Sequence, residues 1–436
     1  MKVKKLDINN FRGFRKATIE FPESNLAVFI GTNGKGKSSV LDLVAMFMNQ
    51  ITQSLTSRSG HHADYFIEGT DIHYGTESSS NQISFIIDKG STVEAVFAMG
   101  QPAAGGFISS NEYNKFLDEK LNYILEEKDR AIIPILLYYR ANRFFNNNYE
   151  SSQKEMPYKL PQLAAYESAF SKKITDFNDF VKWFRTEEDK ENELIKKERN
   201  FDLTNPNLQT VRRAIATFFS KLNGFSFSNL RVERDLPKSQ QLYRSGFNSS
   251  LTISKNDQDF PFEQLSDGEK MLLMVVCDIA RRLSIANPGS DDPLEGTGIV
   301  LIDEIELHLH PKWQREVIPA LLATFPGIQF IVTTHSPQVL SRVDQSSVFL
   351  LKDGEVFPIS SNPQGLDTNA ILEEIMDTPK YPQEVDDLVH KLFMLIQQKE
   401  FEQAEGVREQ LKAASPDNPA LSRAESMMER LKVLNQ

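Results

Sequence analysis

The stretch Gly31-Thr32-Asn33-Gly34-Lys35-Gly36-Lys37-Ser38 satisfies the phosphate-loop pattern G-x-x-x-x-G-K-S in full. Its flanks constrain the fold as much as the motif does. The apolar run Leu26-Ala27-Val28-Phe29-Ile30 precedes it and reads as a buried strand, while residues 39–48 carry the apolar spacing of a helix. A strand that delivers a glycine-rich turn to a helix start lets backbone N–H groups converge on phosphate oxygens. Asn33, Gly34, Lys35, Gly36, Lys37, Ser38 and Ser39 are therefore expected to cradle a nucleoside triphosphate such as ATP. Lys37 is expected to reach the β- and γ-phosphates, and the Ser38 hydroxyl to serve Mg²⁺.

A second apolar strand far downstream, Gly298-Ile299-Val300-Leu301-Ile302, ends in Asp303-Glu304. Burial of the strand leaves both carboxylates at its C-terminal edge, beside the phosphate loop. Asp303 suits the water shell of Mg²⁺, and Glu304 suits the base that orients and polarises an attacking water. Between these motifs, Leu265-Ser266-Asp267-Gly268-Glu269-Lys270 opens a helix with a serine three residues before a glutamate, the spacing of a capping box.

The bulk numbers narrow the class. A chain of 436 residues has room for two or three domains, each with its own core. A net charge of −11 argues against a generally basic nucleic-acid coat, but a local basic surface remains open. Arg140, Arg143, Lys196, Lys197, Arg199, Arg212 and Arg213 are the candidates for gripping DNA. Cys277 is the single cysteine, with apolar neighbours, so a disulfide framework and a cysteine-based metal cluster are excluded. The basic start, residues 1–5, is not followed by an apolar signal core, and no apolar run approaches the ~18 residues of a membrane span. A cytoplasmic setting is expected.

Along the chain the texture is α/β. Residues 3–8, 17–21, 83–87 and 92–97 alternate as half-buried strands do, and residues 132–139 read as a central strand. Residues 100–106 read as a glycine-rich loop. Residues 187–193 read as a solvated acidic segment within a helical region. Residues 265–356 alternate helix and strand, as in a largely parallel sheet. Three amphipathic helices close the chain, around Val385, Phe401 and Leu421. The expected division is 1–155 for a first lobe, 156–224 for a helical insertion, 225–375 for a second lobe and 376–436 for a helical tail.

The motif order resembles that of ABC-type ATPases in the branch of SMC, RecF and overcoming-lysogenisation-defect proteins. It is carried by Leu265-Ser266-Asp267-Gly268-Glu269, by Thr333-Thr334-His335-Ser336-Pro337, by the opening Asn10-Phe11-Arg12-Gly13-Phe14, and by Asp303 to Pro311 with its D-E-x-E-x-H-L-H-P string. The likeness covers roughly residues 1–100 and 225–360. It implies an ATPase head with a mostly parallel sheet plus an antiparallel β subdomain, a helical insertion and a C-terminal helical appendage. It implies that His335 senses the γ-phosphate, and that Ser266, Gly268 and Glu269 close over ATP held by a second copy, giving a homodimer or higher oligomer. Residues 306–311 would occupy the loop that crosses the interface. Asp71 is the implied extra ligand of the Mg²⁺ shell, with Gln82 as its rival, and Arg12 is a further nucleotide contact.

The roughly 80 residues after Val356 leave no space for the nuclease domain of the overcoming-lysogenisation-defect proteins. The layout instead resembles the ATPase subunits of Septu-type anti-phage systems, also found with retrons and called PtuA. Their C-terminal region carries an HNH nuclease partner, PtuB. That resemblance implies an ATP sensor and scaffold with a nuclease docked on 376–436. A RecF- or SMC-like DNA-repair clamp and a PARIS-type defence ATPase with another effector are the alternatives.

Overall fold

The computed structural model describes residues 1–57, 68–87, 91–100, 103–141, 161–170, 177–222, 224, 226–234, 249–376 and 381–434. Arg143 lies outside them. The chain forms two units, Met1–Gly365 and Leu366–Gln436.

The first unit begins with β1 (Lys2–Phe11), β2 (Phe14–Glu20), β3 (Leu26–Ile30) and helix α1 (Lys37–Ser57). Strands β4 (Ser78–Ile86), β5 (Thr92–Gly100) and β6 (Ala103–Ser109), helix α2 (Asn111–Glu127) and β7 (Ile135–Tyr139) come next. Helices α3 (Phe177–Glu198) and α4 (Pro206–Lys221) precede β8 (Phe227–Arg234), β9 (Ser249–Lys255) and β10 (Gln258–Pro261). Helix α5 (Asp267–Ala286), β11 (Gly298–Ile302), α6 (Pro311–Thr324) and β12 (Ile328–Thr333) follow. The one-turn helix α7 (Pro337–Leu340) leads to β13 (Val348–Lys352) and β14 (Glu355–Pro358).

The central sheet has the order β14-β13-β3-β12-β11-β7. All its neighbours pair in parallel except the β13–β14 hairpin. Strands β3, β7, β11 and β12 are buried along their whole length, which is why they read as unbroken apolar runs. Parallel strands end at one edge, and ligands of such sheets bind there. The phosphate loop leaves that edge after β3, Asp303-Glu304 after β11, His335 after β12 and Arg140 after β7. The register keeps the ends level, with Ile302 opposite both Val332 and Tyr139, and Thr333 opposite Phe29.

A second, antiparallel sheet has the order β2-β1-β4-β5-β6, and a third pairs β10-β9-β8 ahead of α5. The fully buried Gln329 of β12 clasps the second sheet to the central one. Its side-chain oxygen accepts the Val3 N–H at 2.7 Å and its amide donates to the Val3 carbonyl at 3.1 Å. The fold is thus mixed α/β, with a parallel-rich sheet, antiparallel sheets and C-terminal helices.

Four local readings change. Strand β7 starts at Ile135, after Pro134, which has no N–H to give to a ladder. Gly100 and residues 103–106 lie in paired strands, with Ala98 opposite Gly106 and Gly100 opposite Ala103, and residues 101–102 lie outside the described residues; small residues carry no period-two signal. Helix α2 was not anticipated. Ser110 caps it by accepting the Tyr113 N–H, and Tyr113, Phe116, Leu117 and Ile124 form its buried face. The acidic segment is solvated only on one side: Asp189, Lys190, Asn192 and Glu193 are exposed, whereas Glu187, Glu188 and Glu191 are buried. Glu187 accepts from Lys190, Asn205 and Asn207 at 2.6, 2.8 and 3.0 Å, and Glu188 accepts the Val232 N–H at 3.0 Å. Glu191 pairs with Arg212 at 3.1 Å, so the three buried glutamates tie α3 to α4 and β8.

Behind the sheet, Asp278 of α5 accepts from Arg281, Arg282 and the Tyr139 hydroxyl at 2.9, 2.8 and 2.8 Å. Burial alone would raise this carboxyl, but Arg282 and Arg281 overcome it and hold it down to about 2. Its neighbour Cys277 is fully buried, and burial pushes its thiol well above the usual range.

The second unit contains α8 (Thr368–Ala370), a π-helical turn at Ile371–Ile375, and α9 (Gln383–Gln397), α10 (Phe401–Ala414) and α11 (Pro419–Leu434). Leu392, Ile396, Ala404, Leu411, Ala424 and Met428 belong to a core of its own. Among the described residues, no helix is long and apolar enough to cross a membrane.

Removing one partner of a buried ion cluster is expensive. The Asp278→Asn variant is expected to lose about 3–5 kcal/mol at neutral pH, read from its urea midpoint. A depressed carboxyl contributes stability above its unfolded value of 3.8, and that contribution fades as pH falls towards about 2. The variant and the wild type should therefore differ most above pH ~4 and converge in acid.

Candidate functional site

The phosphate loop owes its shape to glycine. Gly31, Gly34 and Gly36 have φ of +146°, +79° and +96°, which side-chain-bearing residues rarely adopt. A Cβ on Gly31 would sit 2.5 Å from the Leu351 carbonyl of β13, and one on Gly36 would sit 2.6 Å from the Phe14 ring. The loop is therefore pressed onto β13 and the start of β2. Helix α1 begins at Lys37 with no acidic residue in its first turn, so its positive end is left to an outside anion.

The Lys37 ammonium is buried within the loop and donates to the carbonyls of Gly31 and Thr32 at 2.9 and 3.3 Å. Burial lowers its pKa, against the opposing pull of Asp303, Glu304 and Glu306. Lys35 points elsewhere, donating to Asp353 in the β13–β14 turn at 2.7 Å.

Asp303 gathers the strand ends. The Ser38 hydroxyl donates to Asp303 Oδ2 at 2.9 Å, and the Thr333 hydroxyl to Oδ1 at 2.6 Å. The Asp303 N–H donates to the Tyr139 carbonyl at 2.9 Å. Thr333 Oγ1 also accepts the Glu304 N–H at 2.8 Å, and the Thr333 carbonyl accepts the Ile305 N–H at 3.1 Å. Glu304 itself has φ +49°, a left-handed backbone that costs a non-glycine residue about 1–3 kcal/mol and is typical of functional sites. His335 follows β12 and donates its N–H to Glu306 Oε1 at 2.5 Å. Burial, and then the charge of Lys37, lower its pKa, so the imidazole is neutral at pH 7.

Asp71 is tied to the flank of α1 through Arg12, and its second oxygen accepts the Glu68 N–H at 2.9 Å. The Arg12 Nε donates to Asp71 at 2.8 Å and its Nη1 to Asp42 at 2.6 Å. Asp42 also accepts the Tyr138 hydroxyl at 3.1 Å and pairs with Arg140 at 2.9 Å. Gln82 is not brought in: it donates to Glu94 on the antiparallel sheet at 2.8 Å. Sequence reasoning missed Asp42, Tyr138 and Thr333. Asp42 stands four residues after Ser38 on α1, hence on the same face, and that spacing was legible.

The capping box forms at the start of α5. Ser266 accepts the Glu269 N–H at 3.4 Å and Glu269 accepts the Ser266 N–H at 2.9 Å, while Lys255 pairs with Glu269 at 2.5 Å. A Cβ on Gly268 would lie 2.6 Å from the His308 carbonyl, so the helix start and the loop after β11 pack backbone to backbone. His310 caps α6 by accepting the Lys312 N–H at 3.3 Å.

The donor set fits nucleotide and magnesium. A hydroxyl and a carboxylate already in contact, Ser38 and Asp303, are hard oxygen ligands, and a nest of loop N–H groups with a buried ammonium suits phosphate.

Residues 26–341 match the family described as "AAA domain, putative AbiEii toxin, Type IV TA system". The chain belongs to this AAA family. The "Retron Ec83 probable ATPase" of Escherichia coli is 30% identical over 427 residues, covering 88% of this chain and 78% of that one. The "Septu protein PtuA" of Bacillus mycoides (strain KBAB4) is 26% identical over 363 residues, covering 81% of this chain and 41% of that protein. Among solved structures, an SMC head bound to the C-winged helix domain of ScpA aligns at 16% identity with a TM-score of 0.44, covering 83% of this chain and 98% of that chain. The chain is thus an AAA-family protein related to a retron probable ATPase and to a Septu protein PtuA.

Thr333→Val removes a donor from Asp303 and an acceptor from the Glu304 N–H, each worth about 1–3 kcal/mol when left unpaired. Phosphate release is expected to fall by about tenfold or more, with ATP affinity changed less than about threefold. Thr333→Ser, which keeps the hydroxyl, should stay close to wild type.

Proposed function

We propose that this chain is the ATP-binding and ATP-hydrolysing sensor and scaffold subunit of an anti-phage defence complex. In this reading it forms ATP-sandwich dimers or higher oligomers in the cytoplasm and holds and regulates an HNH nuclease partner. The observation that carries the reading is the 2.9 Å contact of Ser38 with Asp303, at a sheet edge shared with Lys37, Glu304 and His335, in a chain related to retron and Septu ATPases.

The chain's own residues divide the work. The loop amides, from Asn33 to Ser39, and the Lys37 ammonium bind and orient the β- and γ-phosphates. Ser38 and Asp303 would hold Mg²⁺, with Asp71 steered by Arg12 towards the same side of α1. When bound, Mg²⁺ supplies charge neutralisation at the β- and γ-phosphate oxygens. Glu304 takes the proton of the attacking water, from a backbone turned to φ +49° at the end of β11. His335, a neutral imidazole, can offer one N–H to a γ-phosphate oxygen.

Ser266, Gly268 and Glu269 serve the ATP of a second copy, presented at the positive end of α5. ATP then joins two subunits, and by linkage assembly tightens ATP binding in return. The second unit, with its own helical core, is the docking element for the nuclease. A DNA clamp is less well supported. Arg140, Arg212 and Arg213 are engaged by Asp42, Glu191 and Asp292, leaving Lys196, Lys197 and Arg199 exposed at the end of α3.

Glu304→Gln is expected to retain ATP and to accumulate as an ATP-dependent dimer or larger species in light scattering. A variant that turns over ATP at the wild-type rate would sink the base assignment. Deleting residues 366–436 should abolish co-purification with a small HNH-type nuclease co-expressed with this chain. Binding that survives the deletion would remove the docking role from this unit.

A further inference from the structure

Glu306 stands two residues beyond Glu304, where the loop after β11 meets the loop after β12. Its main chain is pinned, since the Leu309 N–H donates to its carbonyl at 2.9 Å and the preceding Ile305 N–H is held by Thr333. Its side chain crosses to the other loop, where Oε1 accepts the main-chain N–H of His335 at 2.5 Å. The second oxygen, Oε2, is buried and meets no hydrogen-bond donor among the described residues. The carboxylate also lies close enough to act on the charges of Lys37 and His335.

Only one of the two Glu306 carboxylate oxygens is bonded, and the other is buried. A buried acceptor without a donor costs stability, and such exceptions in a folded protein need an explanation. What its bonded oxygen secures is the His335 main chain where it leaves the sheet, and any acceptor placed the same way would secure it too.

We propose that Glu306 is a positioning residue that acts through His335, fixing the main chain from which the imidazole reaches the γ-phosphate. The inference rests on the ATPase reading of the site. With Glu306 in place the His335 backbone cannot swing about the end of β12, so the ring is preorganised towards the loop. Without it, phosphate binding by Lys37 and the loop amides is unaffected, while alignment for hydrolysis is lost.

The test compares Glu306→Ala, Glu306→Gln, His335→Ala and the Glu306→Ala/His335→Ala double variant in the full chain. In nucleotide-free protein, hydrogen exchange at the His335 amide should accelerate in Glu306→Ala and stay slow in Glu306→Gln, whose amide oxygen can still accept. Glu306→Ala should lower kcat by about tenfold or more with the ATP Kd within about threefold and the melting temperature not lowered. Glu306→Gln should recover most of the turnover. In the His335→Ala background, Glu306→Ala should add less than about a twofold loss. Additive losses, a loss expressed in Kd, a Glu306→Gln as slow as Glu306→Ala, or an amide still protected in Glu306→Ala would each overturn the proposal. A wild-type chain that neither binds nor hydrolyses ATP would instead overturn the ATPase reading, and the exchange measurement would still report on the Glu306–His335 contact.

Discussion

The Asp303 carboxylate is the point on which the nucleotide edge turns. A buried carboxylate is tolerated only when donors surround it, and here they come from separate parts of the chain. Ser38 reaches it from α1, Thr333 from the end of β12, and its own N–H is fastened to the Tyr139 carbonyl of β7. Meeting those demands sets where the phosphate-loop helix sits against the sheet. It also leaves the neighbouring Lys37 facing a negative site that partly offsets the burial of its ammonium. Thr333 is economical in this respect, because a single hydroxyl donates to Asp303 and accepts from the Glu304 N–H.

A second carboxylate repeats the device on the flank of α1. Asp42 collects Arg12, Tyr138 and Arg140, and Arg12 in turn carries Asp71. Two arginines against two aspartates leave the cluster close to neutral, which suits a site next to a polyanionic ligand. Because Arg12 sits in the turn between β1 and β2 while Tyr138 and Arg140 end β7, this cluster joins the antiparallel sheet to the parallel one. Gln329 makes the same junction from the other end of β12 with two hydrogen bonds to Val3.

What the sequence made legible were features whose signal is local. Buried parallel strands read as apolar runs, the phosphate loop as its glycines, and the capping box as a serine three residues before a glutamate. What escaped depends on partners distant in the chain. Glu187, Glu188 and Glu191 look solvated until Asn205, Asn207, Arg212 and the Val232 N–H arrive from other elements. Tyr138 looks like one more apolar strand residue until its hydroxyl meets Asp42 from α1. Helix α2 is a different case, since its capping serine and apolar spacing were present and were overlooked beside the glycine-rich stretch. Asp71 and Gln82 could be weighed only by likeness, and geometry separates them: Asp71 reaches the α1 flank through Arg12, whereas Gln82 is paired to Glu94 on the other sheet.

The loop after β11 couples these parts. Two of its residues, Glu304 and His308, hold left-handed backbones at φ +49° and +62°, so it turns sharply twice within five residues. The first turn is enforced by Thr333, and the second brings the His308 carbonyl against Gly268, where a Cβ could not fit. Between them Glu306 grips the His335 main chain. A shift at the start of α5 therefore cannot be absorbed locally. Close backbone packing passes it to the loop, and the loop passes it to Glu304 on one side and His335 on the other, because packed backbones and short hydrogen bonds do not deform by small degrees. The placements of Glu304, of His335 and of the α5 terminus are, in that sense, a single mechanical variable.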